Sequence, residues 1–246
     1  MFSFLKNHPF AVEAFFESST VLTFAVPKEQ LQSMIPPCLS LDTYNDQWAF
    51  IAVAMVQTKN LRPKGFPAFL GNDFFLTGYR IFVRYTNTAG KNLRGLYIIK
   101  SETDKLKMQF LGNIFTHYNY STTDISVDKS KKFTTIRSEQ SAFSVKINTN
   151  EESTALPLGS PFDDWKQARR FAGPLPFTFT YEPEKRRVLI IEGVRQNWLP
   201  KPISVLSHQF AFLDGLNLPG LVLANAFIIN SIPYWWKSGK TEIWPL

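Results

Sequence analysis

The stretch "FFLTGYRIFVRY" (74–85), followed by "TNTAGKN" (86–92) and "RGLYIIKSETDK" (94–105), decides the architecture. Two runs rich in aromatic and β-branched residues flank a segment built from Thr, Asn, Gly and Lys. Side chains of that kind pack well on a pleated surface, and turn chemistry between them predicts antiparallel neighbours. Period-2 alternation puts Arg80, Phe82 and Arg84 on one face of the first strand, and Tyr79, Ile81, Val83 and Tyr85 on the other. In the second, Leu96, Ile98, Lys100 and Glu102 are expected on one face and Tyr97, Ile99 and Ser101 on the other. Which faces point inward stays open from alternation alone.

Outward from this pair the chain repeats the pattern. Strands are predicted at 20–26, 48–56, 113–122, 142–148, 176–181 and 187–193, separated by clusters such as "NTNEES" and "EPEKR". Such spacing predicts an antiparallel barrel or sandwich. Three helices interrupt it. "PKEQLQSMI" (27–35) opens on a first-turn proline and stops at Pro36–Pro37. A second over 161–171 has Ser160 as its cap, Asp163 and Asp164 at the positive end, Arg169 and Arg170 at the negative end, and Gly173–Pro174 as its stop. The third is the apolar segment 221–232. Without a linker, repeat or low-complexity tract, residues 1–246 are expected to form one domain.

Composition narrows the function. The 246 residues are 44% hydrophobic and 15% aromatic, with 23 phenylalanines, which suits a thick β core or an apolar pocket. The single cysteine, Cys38, sits between prolines and apolar residues; it allows no internal disulfide and fits a reducing, cytoplasmic setting. The first residues lack the layout of a signal peptide, and "LPGLVLANAFIINSIPYWW" is broken by Asn225, Asn230 and Pro233, so no membrane span is expected. The net charge of +7 is dispersed over turn-like positions such as Lys129, Lys131 and Lys132, with no nucleic-acid-binding motif beside it. His8, His117 and His208 show no metal-ligand spacing, and there is no phosphate-cradling glycine loop; neither metal nor cofactor is expected.

Several segments together resemble the acetoacetate decarboxylase superfamily: "LTFAVPKEQLQSMIPPCLSLD" followed by "WAFIAVAMVQT" at the start, and "LDGLNLPGLVLANAFIINSIPYWWKSGKTEIW" at the end. Within it, "HPFAVEAFF", "AFIAVAMVQTKNLRPKGFP", "RGLYIIKSETDK" and "GNIFTHYNY" are similar to a bacterial family of uncharacterised proteins. The resemblance implies a mainly β, α+β fold: an antiparallel barrel or cone with a few outer helices and an interior pocket. It also implies a Schiff-base lysine preceded by proline and followed by a second lysine. The run "LYIIKSETDK" departs from that pattern, since Lys100 is followed by Ser101 and no Pro–Lys–Lys occurs.

The expected ligand is a small carbonyl- or carboxylate-bearing molecule, with Arg80, His117 and Glu102 as binding residues and Lys100 as the one catalytic candidate. Lys100 is a poor Schiff-base nucleophile on this reading, because Glu102 on the same face stabilises the ammonium. Two other readings stand beside it: a decarboxylase-like lyase using Lys100, and a non-catalytic structural or oligomer-forming protein. A homo-oligomer is compatible with all three.

Overall fold

A computed structural model describes residues 4–152, 154–173 and 175–244. Fourteen strands and four short helices follow one another in the order β1 (Val12–Pro27), α1 (Glu29–Gln32), β2 (Ser40–Leu41), β3 (Trp48–Pro63), β4 (Asn72–Thr86), β5 (Asn92–Thr103), α2 (Leu106–Phe115), β6 (Tyr120–Thr122), β7 (Ser126–Lys129), β8 (Phe133–Ser138), β9 (Phe143–Glu152), α3 (Trp165–Ala172), β10 (Phe177–Glu182), β11 (Arg187–Arg195), β12 (Lys201–Phe210), α4 (Ala211–Gly215), β13 (Val222–Trp236) and β14 (Lys240–Ile243).

The strands run β14-β11-β10-β5-β4-β3-β1-β13-β12-β9-β8-β7, and a further pairing joins β11 to β13. Seven strands, β11 through β13 by way of β5 and β3, therefore return on themselves into a cone-like curl. Three ladder pairs make that return, from Gly193↔Trp236 to Arg195↔Tyr234, and the Lys237 and Gln196 amides donate across the seam at its two ends. β12 leaves the main sheet after pairing Lys201 and Pro202 with β13 and then joins β9, carrying a smaller β7–β8–β9 sheet with it. The sheet is mixed rather than purely antiparallel, because β5 pairs in parallel with both β10 and β6.

β3 shows why "WAFIAVAMV" is apolar without a break. Ile51, Val53 and Met55 join the core shared with the small sheet, while Phe50, Ala52, Ala54 and Val56 belong to the core inside the curl. A strand buried on both faces loses its alternation.

Two segments differ from the sequence reading. Residues 222–236 form β13, not a helix: they pair with β1 along most of their length. A run that is apolar at most positions, with its few polar residues out of register with either period, does not separate strand from buried helix, and here the long partner strand decides. Residues 113–122 are not one strand either. Their first part completes α2, and only 120–122 is extended. The helix over 161–171 begins later, at Trp165, with Asp164 accepting the Gln167 amide at 2.8 Å, while Ser160 instead donates to the Ala224 carbonyl. Pro174 lies outside the described residues. No helix among the described residues is long and apolar enough to cross a membrane.

Candidate functional site

A cavity of about 460 Å³ occupies the curl, and all seven strands contribute to its wall. Most of the wall is apolar. Against it stand two arginines, Arg80 on β4 and Arg195 at the end of β11, with Tyr118, Tyr120 and Tyr234.

The backbone makes room for these groups. Arg80 folds back over Gly78, two residues earlier on the same strand face, where a Cβ would stand 3.1 Å from Nε and Nη2. At Gly193 a Cβ would collide with the Tyr234 hydroxyl, so only glycine admits that phenol. Arg195 sits with its guanidinium 4.2 Å from the Trp198 ring centroid and 5.8 Å from that of Tyr234.

Electrostatically the pocket is one-sided. Arg80 Nε and Arg195 Nη2 are buried and have no hydrogen-bond partner. Burial pushes both guanidinium pKa values down, and the two charges face each other closely enough for Arg80 to lower that of Arg195 further. A guanidinium stays protonated all the same, so the shift reports an unmet cost of desolvation rather than a loss of charge. Among the described lining residues there is no Asp or Glu. The phenols stay protonated as well: burial drives Tyr118 up to about 12, and also raises Tyr120 and Tyr234. Tyr118 and Thr178 share a hydrogen bond of 2.7 Å between their hydroxyls. The cluster therefore presents donors to whatever enters.

Arg84, four residues along from Arg80, illustrates the contrast. Its Nε donates at 2.6 Å to Asp42, a fully buried carboxylate that also takes Arg94 at 2.6 Å. Asp42 is thereby occupied, and Arg80 is left without an equivalent.

The remaining sequence candidates lie elsewhere. Tyr79 pairs with Lys100 but Arg80 with Ile98, so Ile99 is an extra residue on β5. This bulge inverts the alternation beyond it. Leu96, Ile98 and Ser101 line the cavity, whereas Lys100 and Glu102 face the opposite core. There Lys100 Nζ lies 2.8 Å from Glu102 and 4.8 Å from the Phe212 ring centroid. Glu102 is 3% exposed, accepts from the Ser141 hydroxyl at 2.6 Å, and keeps Oε2 unpartnered. The expectation that Leu96, Ile98, Lys100 and Glu102 share a face is thus corrected by one inserted residue. His117 follows α2; its neighbours Thr116 and Tyr118 line the cavity. His117 itself feels the charges of Glu182, Lys185 and Arg187, and burial is the main influence lowering its pKa.

Arg195 was not singled out from sequence, though a signal for it exists. "GYR" (78–80) and "GVR" (193–195) repeat one pattern on two strands, glycine and arginine sharing a face.

The architecture is that of acetoacetate decarboxylase-like proteins. The acetoacetate decarboxylase of Legionella pneumophila superposes with a TM-score of 0.63 at 10% identity, over 95% of this chain and 88% of that one. An acetoacetate decarboxylase-like enzyme from Sphingomonas wittichii gives 0.56 at 11% identity, over 97% and 94%. The enduracididine biosynthesis enzyme MppR, in complex with pyruvate, gives 0.55 at 10% identity, over 95% and 90%. At such identities the likeness establishes the fold. Residues 14–231 match the family described as "Uncharacterized conserved protein", and the chain belongs to it. No curated protein matches the chain in sequence.

Proposed function

We propose that the protein holds a small carboxylate- or carbonyl-bearing molecule inside the curl, anchored by Arg80 and Arg195. The observation that carries this reading is a pair of part-buried arginines, each with one buried and unpartnered N–H donor, in a cavity without a described carboxylate. An unpaired buried cation costs several kcal/mol, and an anion bridging both groups relieves that cost with charge-assisted hydrogen bonds. Pyruvate bound to MppR, a protein of the same fold, is compatible with an acid of this kind.

Lys100 has no part in this reading. It faces away from the cavity and is held in an ion pair by Glu102, 2.8 Å from its Nζ. A purely structural protein has no evident use for two uncompensated arginines around a void.

Calorimetric titration with pyruvate, acetoacetate and acetate, alongside neutral analogues, tests the reading. Acids should bind and the matched amides should not, and Arg80→Gln should abolish the difference. Equal affinity for acids and amides would sink it. Borohydride reduction in the presence of pyruvate should leave Lys100 unmodified by mass spectrometry.

A further inference from the structure

We infer that the ligand is not a three- or four-carbon acid but a carboxylate with an aliphatic tail, of roughly ten to fifteen non-hydrogen atoms. This rests on the proposal that Arg80 and Arg195 receive an acid, and adds what the rest of the cavity requires.

The volume sets the size. At ~30 Å³ for each water-sized group, a cavity of about 460 Å³ holds about fifteen non-hydrogen atoms. A short keto acid satisfies the arginines and leaves most of that space as a void or as water against apolar walls.

The distribution of chemistry sets the shape. The two guanidinium groups and the phenol donors gather at one place: Arg195 lies 5.8 Å from the Tyr234 ring centroid, and Tyr118, Tyr120 and Tyr234 are electrostatic neighbours of Arg80. Of the other cations on the wall, Arg62 is paired with Glu13 at 2.8 Å and Lys107 is exposed to solvent. Most of the rest of the wall is apolar, made by residues such as Val56, Leu76, Leu96, Met108, Leu111 and Phe227, drawn from four strands and a helix. They offer a tail no hydrogen bonds and much apolar area. One charged anchor in a chamber with mainly apolar walls is complementary to a single-chain amphiphile.

Small residues keep the chamber open beside the anchor. Ala52 pairs with Arg80 and Ala54 with Gly78, so two methyl groups and a missing side chain border the guanidinium. A leucine at either alanine would occupy the volume assigned to the first carbons of the tail.

The test is calorimetry on the full chain with straight-chain carboxylates from butanoate to tetradecanoate, each below its micelle concentration, with the matching primary alcohols and with pyruvate. Affinity should tighten about fourfold per added methylene and level off between about eight and thirteen carbons. The alcohols should bind more weakly at every length, and Ala54→Leu should move the plateau to a shorter acid. Pyruvate binding that depends on Arg80, combined with a flat response to length, would overturn the tail and leave the anion site standing. Steep length dependence shared equally by alcohols and unaffected by Arg80→Gln would overturn the carboxylate anchor, and both proposals with it. No binding by any acid would likewise overturn both.

Discussion

The guanidinium of Arg80 rests on Gly78, at a distance that an alanine methyl would reduce to 3.1 Å from two of its nitrogens. The contact is with the end of a flexible side chain, so the fold tolerates the substitution while the anchor shifts by a few tenths of an ångström. Gly78→Ala should therefore leave thermal stability within about 1 kcal/mol of the parent. It should weaken acid binding by about tenfold, the order of one hydrogen bond to a charged group. Calorimetry and a melting curve on the same sample separate the two effects.

Arg80→Met should stabilise the empty protein. The arginine holds a charge away from bulk water with Nε unpartnered, and burial is the dominant influence on it. A thioether of similar length carries none of that cost, so a gain of about 1–3 kcal/mol is expected in denaturant unfolding. Acid affinity should fall at least about thirtyfold in the same variant, on the scale of charge-assisted bonds worth ~2 kcal/mol or more. A destabilised variant would indicate that Arg80 is satisfied in a way unconnected with a ligand.

Lys100→Met should act in the opposite direction. Removing the ammonium leaves Glu102 buried with only the Ser141 hydroxyl as support. The lysine side chain is 28% exposed, so the loss is discounted from the 3–5 kcal/mol of a fully buried pair to about 2 kcal/mol. Acid binding should be unchanged, because Lys100 and the cavity lie on opposite faces of β5.

His8 should make the protein sensitive to mild acid. It is 5% exposed, and burial pushes its pKa down to about 4 from the ordinary 6.5. The unfolded chain takes up this proton near pH 6.5, but the folded protein resists until about pH 4. Stability from the neutral imidazole is thus fully present above pH 6.5 and is lost as pH falls from 6.5 to 4. The loss amounts to about 3 kcal/mol. Unfolding measured across that window should show the decline, and His8→Gln should flatten it.

Much of the sheet was legible because its strands advertise themselves. β4 and β5 alternate around a turn of Thr, Asn, Gly and Lys, and β10 and β11 flank "EPEKR" in the same way. β13 was not legible, since Val222–Ile232 is apolar on both faces and its partner β1 lies some two hundred residues away in the chain. At the site, alternation put Arg80, Phe82 and Arg84 on one face but left open whether that face is the inner one, which only the closure of the sheet decides. Lys100 was lost because the bulge at Ile99 is marked by no glycine and no polar residue; the sheet imposes it where β5 serves β4, β6 and β10 together. The tertiary pairing of Asp42 with Arg84 and Arg94, which leaves Arg80 alone, has no local trace either.

The three rungs between β11 and β13 have a dynamic consequence. Arg195 and Tyr234 are themselves the last of those rungs, so the seam that shuts the ring is built from residues that line the cavity. A molecule gripping Arg80 and Arg195 is a cross-brace from β4 to this seam, and occupancy and breathing become one equilibrium. Amide exchange at 193–195 and 234–236 is then the most direct reporter of binding. At a ligand concentration of one hundred times Kd, exchange that requires the empty protein to open there should slow by about a hundredfold. The amides of β7 and β8, at the far end of the sheet, should keep their own pace.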